Sequence, residues 1–261
     1  MSCWAEVVEP STRALVDEDS EEEYPASQPA EGLTRFQLKW IEENTSGVDL
    51  FIVAHGKLIT SFVKSFVCDE KHELVAEIQE SLLKDVKERE PESAPLIKSA
   101  SPVYRLNKGT SYICLCADVD MNNANKFRNA ILPLLEKSSH IVIVSAQKAS
   151  TYLYDRLCSE LNIPFVRCLQ SSTYQSGNIS APYLEQPNFV TGIPAAILSW
   201  CEVFNVPGIL YCCFTDTHEV NSISSEPLIK IFSSLSVEVL DPSKVKFKKK
   251  SYGPVTTNLY M

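Results

Sequence analysis

Six consecutive apolar residues, Ile209, Leu210, Tyr211, Cys212, Cys213 and Phe214, limit what this chain can fold into more than any other stretch. A half-exposed strand alternates apolar with polar residues, whereas a short unbroken run of this kind reads as a strand covered on both faces. Such a strand needs helices above and below its sheet. The residues just upstream supply one of them. Ile193, Ala196, Ile197, Trp200, Cys201 and Phe204 recur at three-and-four spacing on one face, while Ser199, Glu202 and Asn205 fall on the other. Thr191 stands where an N-cap belongs, Pro194 suits a first turn, and Pro207 with Gly208 ends the helix. Ahead of it, Leu184, Glu185, Gln186, Pro187 and Asn188 form a polar turn that no generic core segment requires.

The rest of the chain repeats the strand and helix theme. Residues 1–30 hold the acidic block Asp17, Glu18, Asp19, Glu21, Glu22 and Glu23 with few apolar residues, and read as a disordered arm. Phe36, Leu38, Trp40 and Ile41 suggest a first strand or a clip onto the sheet. Val48–Ala54 is an apolar strand ending at His55 and Gly56, and Leu58, Phe62, Val63, Phe66 and Val67 follow at helical spacing. His55 lies at the carboxyl end of that strand, where α/β enzymes place their chemistry. With no Ser or Asp motif nearby to complete a triad, it is better read as a hydrogen-bonding residue at a helix start.

Leu74–Val86 is expected to form a second amphipathic helix, and the charges and prolines of Glu88–Pro95 break the pattern. Val103–Leu106 and Tyr112–Ala117 flank Asn107, Lys108 and Gly109 as a hairpin. Cys114 and Cys116 share one face of its second strand. Their one-residue spacing lacks the gap of structural zinc sites, so they read as packing residues, and no metal or cofactor is expected. Asn122–Lys137 reads as a helix bent by Pro133, His140–Val144 as a strand, Tyr152–Leu161 as a helix, and Leu161–Val166 as a short strand. Residues 170–182 mark an exposed loop, and Glu226–Leu235 a last helix.

The fold expected is therefore α/β: a single domain over residues 31–240, with a mostly parallel mixed sheet between helices. The arm before it is acidic and the tail after it, residues 241–261, is basic, through Lys244, Lys246, Lys248, Lys249 and Lys250. A net charge of −9 argues against nucleic acid as the principal partner. The nine cysteines are scattered, several inside apolar runs, which predicts reduced thiols in the cytoplasm or nucleus. No apolar run approaches the ~18 residues of a membrane span, so a soluble protein is expected.

The turn Leu184–Asn188, then Ile193–Ser199, then Pro207, Ile209, Leu210, Tyr211, Thr215 and Asp216, together with the final Asn258, Leu259, Tyr260 and Met261, resemble the proteasome assembly chaperone family. The resemblance implies a fold similar to nucleoside phosphorylases and related hydrolases, used for binding. It implies a heterodimer with proteasome assembly chaperone 2 that holds the α subunits of the 20S core particle, around the fifth to seventh of the ring. That heterodimer would promote α-ring assembly and block premature or off-pathway association. It also implies that Leu259, Tyr260 and Met261 enter a pocket between α subunits, with the Leu184–Asn188 turn as scaffold or heterodimer interface.

The tail is physically suited to such a role. An apolar side chain fills a pocket, and tyrosine adds a broad face with one hydroxyl handle. Burying Leu259 and Tyr260 contributes roughly 1.5–3 kcal/mol each, before the ordering cost of a flexible arm, so one tail alone binds modestly. Two rival readings stand beside this one. An enzyme would require phosphate-handling features, and the eight glycines stand singly, without a phosphate-loop or dinucleotide fingerprint. An interaction subunit of some other complex would predict that removing Leu259–Met261 leaves proteasome-subunit binding untouched.

Overall fold

The computed structural model describes residues 33–42, 47–68, 72–83, 96–106, 109–116, 119–153, 162–175, 181–217 and 219–240. The acidic arm and the basic tail, with Leu259, Tyr260 and Met261, lie outside them.

Among the described residues, eight strands make one sheet: β1 (Leu33–Trp40), β2 (Val48–His55), β3 (Glu73–Leu83), β4 (Leu96–Leu106), β5 (Ser111–Cys116), β6 (Ser138–Lys148), β7 (Phe165–Gln170) and β8 (Gly208–Thr215). Their spatial order is β1-β3-β4-β5-β2-β6-β8-β7. Parallel pairing is confined to the centre, where β5, β2, β6 and β8 run together. The β1-β3-β4-β5 wing and the β7 edge are antiparallel. The sheet is thus mixed, with four antiparallel pairings against three parallel ones, and the expectation of a mostly parallel sheet is corrected.

The main source of that difference is the expected helix Leu74–Val86, whose described residues, 74–83, belong to strand β3, the rest lying outside the described residues. Leu74, Ile78 and Leu82 are four residues apart, and a spacing of four keeps side chains on one face of a strand as well as of a helix. Pairing decides between the two. Ile78 lies opposite Leu38 of β1 and Ser101 of β4, so both backbone edges are satisfied. The bulges in the β3-β4 ladder fall between Leu74 and Ala76 and between Glu80 and Ser81.

Among the described residues, five helices cover the sheet: α1 (Lys57–Phe66), α2 (Ala124–Ala130), α3 (Leu132–Leu135), α4 (Gly192–Val203) and α5 (Ser222–Ser234). The alternation of strand side chains divides the core in two. Leu210, Cys212 and Phe214 of β8 join Phe51 and Val53 of β2 against α2, α3 and α4. Ile209, Tyr211 and Cys213 join Ile52 and Ala54 against α1 and α5. Every residue of β8 is buried, as its unbroken apolar run requires.

Local chemistry sets the helix ends. The Asn122–Lys137 segment breaks at Ile131, because Pro133 lacks an N–H and its ring crowds the carbonyl one turn back, leaving α2 and α3 as separate pieces. Helix α5 starts one turn earlier than Glu226, at Ser222. Asn221 accepts from the amides of Ile223 and Ser224 at 3.0 and 2.7 Å, and Ser224 Oγ accepts from the Asn221 amide at 2.9 Å. Tyr152 and Leu153 are not helical, following a single turn at Ala149–Thr151, and the rest of the expected Tyr152–Leu161 helix lies outside the described residues.

Candidate functional site

The Leu184–Asn188 turn is fixed from three sides. The Leu184 amide donates to the Cys168 carbonyl at 2.9 Å, and the Cys168 amide to the Pro182 carbonyl at 2.8 Å, which ties the turn to β7. Leu184 is buried. Asn188 works as a clamp: its Nδ2 donates to the Leu153 carbonyl at 2.7 Å and to the Glu185 carbonyl at 2.9 Å, while its Oδ1 accepts from the Leu153 amide at 2.7 Å. Gln186 and Pro187, joined by a cis peptide bond, form the exposed tip.

Charge holds the remaining side. Tyr152 Oη donates to Glu185 Oε2, and Arg167 Nε lies 3.3 Å from the same oxygen and 3.2 Å from Tyr152 Oη. The Arg167 guanidinium also covers the Tyr152 and Phe165 rings, 5.5 and 5.1 Å from their centroids. The tyrosine hydrogen bond, with Arg167 beside it, holds the Glu185 carboxyl below the usual carboxylate range. Burial and the bond to Glu185 push the Tyr152 hydroxyl up. Tyr152 and Arg167 were not legible as partners of this turn, since they lie 33 and 18 residues before Glu185.

A depressed carboxyl pKa means the cluster's stabilisation is complete above the unfolded-state pKa of Glu185 and is lost as pH falls through the lower folded-state value. Carbon-detected NMR titration of the Glu185 carboxyl is expected to give a midpoint below the ordinary range. Tyr152→Phe, which removes the principal cause, is expected to raise it. An unchanged midpoint in that variant would show that the hydrogen bond does not hold the turn.

Beside the turn lies a cleft of about 390 Å³ at the carboxyl ends of β2 and β6 and the amino end of α4. His55, Ser145, Gln147, Lys148, Phe189 and Thr191 contribute to its walls. His55 is thus where the sequence placed it, at the strand end, and Gly56 follows with φ +89, a backbone that makes the turn into α1 and that side chains rarely adopt. Ser145 Oγ, buried, points to Cys212 Sγ at 3.8 Å. Thr191 is the N-cap residue of α4 but makes no side-chain capping bond. Phe189 is 74% exposed directly after the turn.

The thiols behind this surface are packing residues. Cys114 and Cys116 share the α2–α4 side of the core, and burial pushes Cys114 up to about 12, with Cys201 and Cys213 also about 12. Among the described residues, no cluster of three His, Cys, Asp or Glu side chains is arranged to hold a metal ion. No described helix is long and apolar enough to cross a membrane.

The described residues form a three-layer α/β/α unit in which β8 is wholly buried and a polar turn is tied to the β7 edge. The family model described as proteasome assembly chaperone 4 matches residues 2–260, and the chain belongs to the proteasome assembly chaperone family. That family is one of chaperones and not of enzymes.

Its relatives include the proteins called proteasome assembly chaperone 1 in Xenopus laevis and Homo sapiens. They are 29% identical over 171 residues and 32% identical over 129 residues, covering 62% and 48% of this chain. The chain aligns with only 59% and 44% of the length of those proteins. Two solved structures share the fold. Pyrococcus furiosus PbaB, described as an archaeal proteasome activator, has a TM-score of 0.53 at 10% identity, over 78% of this chain and 90% of that one. Pyrococcus furiosus PbaA, described as an archaeal homolog of proteasome-assembly chaperone, has a TM-score of 0.51 at 9% identity, over 77% and 86%.

Proposed function

We propose that this chain is a proteasome assembly chaperone that acts by binding and steric exclusion. It pairs with proteasome assembly chaperone 2, and the pair holds α subunits of the 20S core particle, around the fifth to seventh, while the ring closes. Premature or off-pathway association is blocked because the surface is occupied. The observation that carries this reading is the family match over residues 2–260.

Leu259, Tyr260 and Met261 serve as the anchor in a pocket between α subunits, on a basic arm that brings them to an acidic rim. The heterodimer supplies the second contact that a modest single anchor needs. The protein works in the cytoplasm and nucleus, without a cofactor or a bond-making step. On a fold of the phosphorylase type the cleft beside His55 would be the place for chemistry. The family match favours binding over that use.

Pull-down of α subunits and assembly chaperone 2 from lysate tests the reading, using the full chain beside one lacking Leu259–Met261. The full chain is expected to retain both. The truncation is expected to lose roughly tenfold or more of the α subunits, the equivalent of about 1.4 kcal/mol, and to keep the chaperone partner. Recovery of neither from the full chain would remove the proposal.

A further inference from the structure

The chain leaves two neighbouring parallel strands toward opposite faces of the sheet. Strand β2 pairs with β6, and His55 stands opposite Ser145 near their carboxyl ends. After β2 the chain enters α1, which packs on the side of Ile52 and Ala54. After β6 it turns through Ala149 and Tyr152, which pack on the side of Phe51 and Val53. Connections that part in this way leave a crevice outside the strand ends, the place where open α/β sheets hold small ligands. The cleft of about 390 Å³ lies at this point, and its size falls within the roughly 300–1,000 Å³ of small-molecule sites.

Its lining favours one sign of charge. None of the described residues around the cleft is Asp or Glu, although the chain carries 33 of them. Lys148 lines it with no carboxylate partner among the described residues. Ser145, 2% exposed, also lines it, and its hydroxyl donates to Cys212 Sγ at 3.8 Å, a weak acceptor at long range. A ligand oxygen would satisfy that buried hydroxyl better. Helix α4 begins in the same space: Thr191 makes no side-chain cap and the first turn holds no acidic residue. Gly192, at φ +70, has nothing within 4 Å of where a Cβ would stand, so its backbone is open to approach. A helix start of this kind carries partial positive charge and N–H groups suited to phosphate oxygens.

We propose that this cleft binds a small organic phosphate monoester bearing a flat ring. The phosphate is held by the Ser145 hydroxyl, the Lys148 ammonium and the start of α4, since its oxygens can meet donors of all three kinds at once. The ring lies against Phe189, whose exposed side chain lines the same cleft and offers a face for stacking. Asn188, the clamp of the Leu184–Asn188 turn, is also in the lining, so the ligand sits against the braced end of that turn. The site uses neither the tail nor a protein partner and stands apart from the chaperone reading.

Isothermal titration calorimetry of the full chain with phenyl phosphate, inorganic phosphate and phenol tests this. Phenyl phosphate is expected to bind roughly tenfold more tightly than inorganic phosphate, and phenol not measurably. Lys148→Ala and Ser145→Ala are each expected to lower phenyl phosphate affinity roughly tenfold. Phe189→Ala is expected to remove most of the advantage over inorganic phosphate and to leave inorganic phosphate binding unchanged. Lys148 and Phe189 are exposed, so the melting temperatures of those variants without ligand are expected to match the wild type. Amide NMR of the wild type needs no variant. Phenyl phosphate is expected to shift His55, Lys148 and Gly192 and to leave Asp49 and His140, near the amino ends of β2 and β6, in place. Lack of saturable binding, unchanged affinity in Lys148→Ala and Phe189→Ala, or shifts confined to residues away from the cleft would overturn the proposal. Equal affinity for inorganic and phenyl phosphate would overturn the organic ligand. None of these outcomes alters recovery of α subunits in the pull-down, so the two readings fail separately.

Discussion

Replacing Phe62 by alanine is expected to cost about 3–5 kcal/mol of folding stability, the range for removing a buried aromatic ring. Phe62 is fully buried on the α1 side of the sheet. Its ring stacks on Phe66 at 4.8 Å and an interplanar angle of 14°, and lies 5.5 Å from Phe232 of α5. The residue therefore joins two helices and a strand layer that are otherwise separate in sequence. Collapse into the vacated space is opposed because Phe66 and Phe232 belong to different helices, each packed on the sheet by other side chains. Neither can move in without losing contacts of its own.

Urea unfolding followed by fluorescence or circular dichroism measures this directly, and the melting temperature is expected to fall by on the order of 10 °C. Phe204→Ala is the comparison. That ring is mostly exposed and has one aromatic neighbour, so its removal is expected to cost under about 1 kcal/mol. Equal losses for the two variants would mean that α1 and α5 do not share one tightly packed layer with the sheet.

How much of this was legible in the sequence depended on the range of the interactions involved. Helix α4 and strand β8 were readable because Ile193, Ile197, Trp200 and Cys201 form a buried stripe and β8 is an unbroken buried run, although Phe204, read into the same stripe, is 60% exposed at the helix end. Strand β3 was not, since its apolar spacing fits both periods and only the neighbouring strands decide. The start of α5 was hidden by a serine in the place where a capping box commonly has Glu or Gln.

The candidate sites divide in the same way. The Leu184–Asn188 turn was visible as a polar interruption, but the Tyr152 and Arg167 groups that brace Glu185 come together only through the β7 edge.

Gly208→Ala is expected to destabilise the fold by about 1–3 kcal/mol, although it adds a single methyl group. A Cβ at this position would lie 2.7 Å from Cys201 Sγ and 2.8 Å from Cys201 Cβ, distances that real side chains essentially never show. Helix α4 crosses β8 here with nothing but the glycine hydrogen between them.

Retreat is blocked on both sides. The Gly208 amide donates to Ser171 Oγ at 2.9 Å and its carbonyl accepts from the Ser171 amide at 2.8 Å, while Cys201 is fully buried in a helix held by Ile197 and Trp200. Part of the clash is with sulfur and part with the Cβ carbon, so Cys201→Ala is expected to relieve the substitution incompletely. Gly208→Ala should therefore cost less in the Cys201→Ala background than in the wild type, with a coupling of about 0.5–3 kcal/mol between the two sites. Strictly additive losses in the four-member cycle would show that α4 shifts as a unit. In that event the enclosure of β8 is looser than the packing at Gly208 implies.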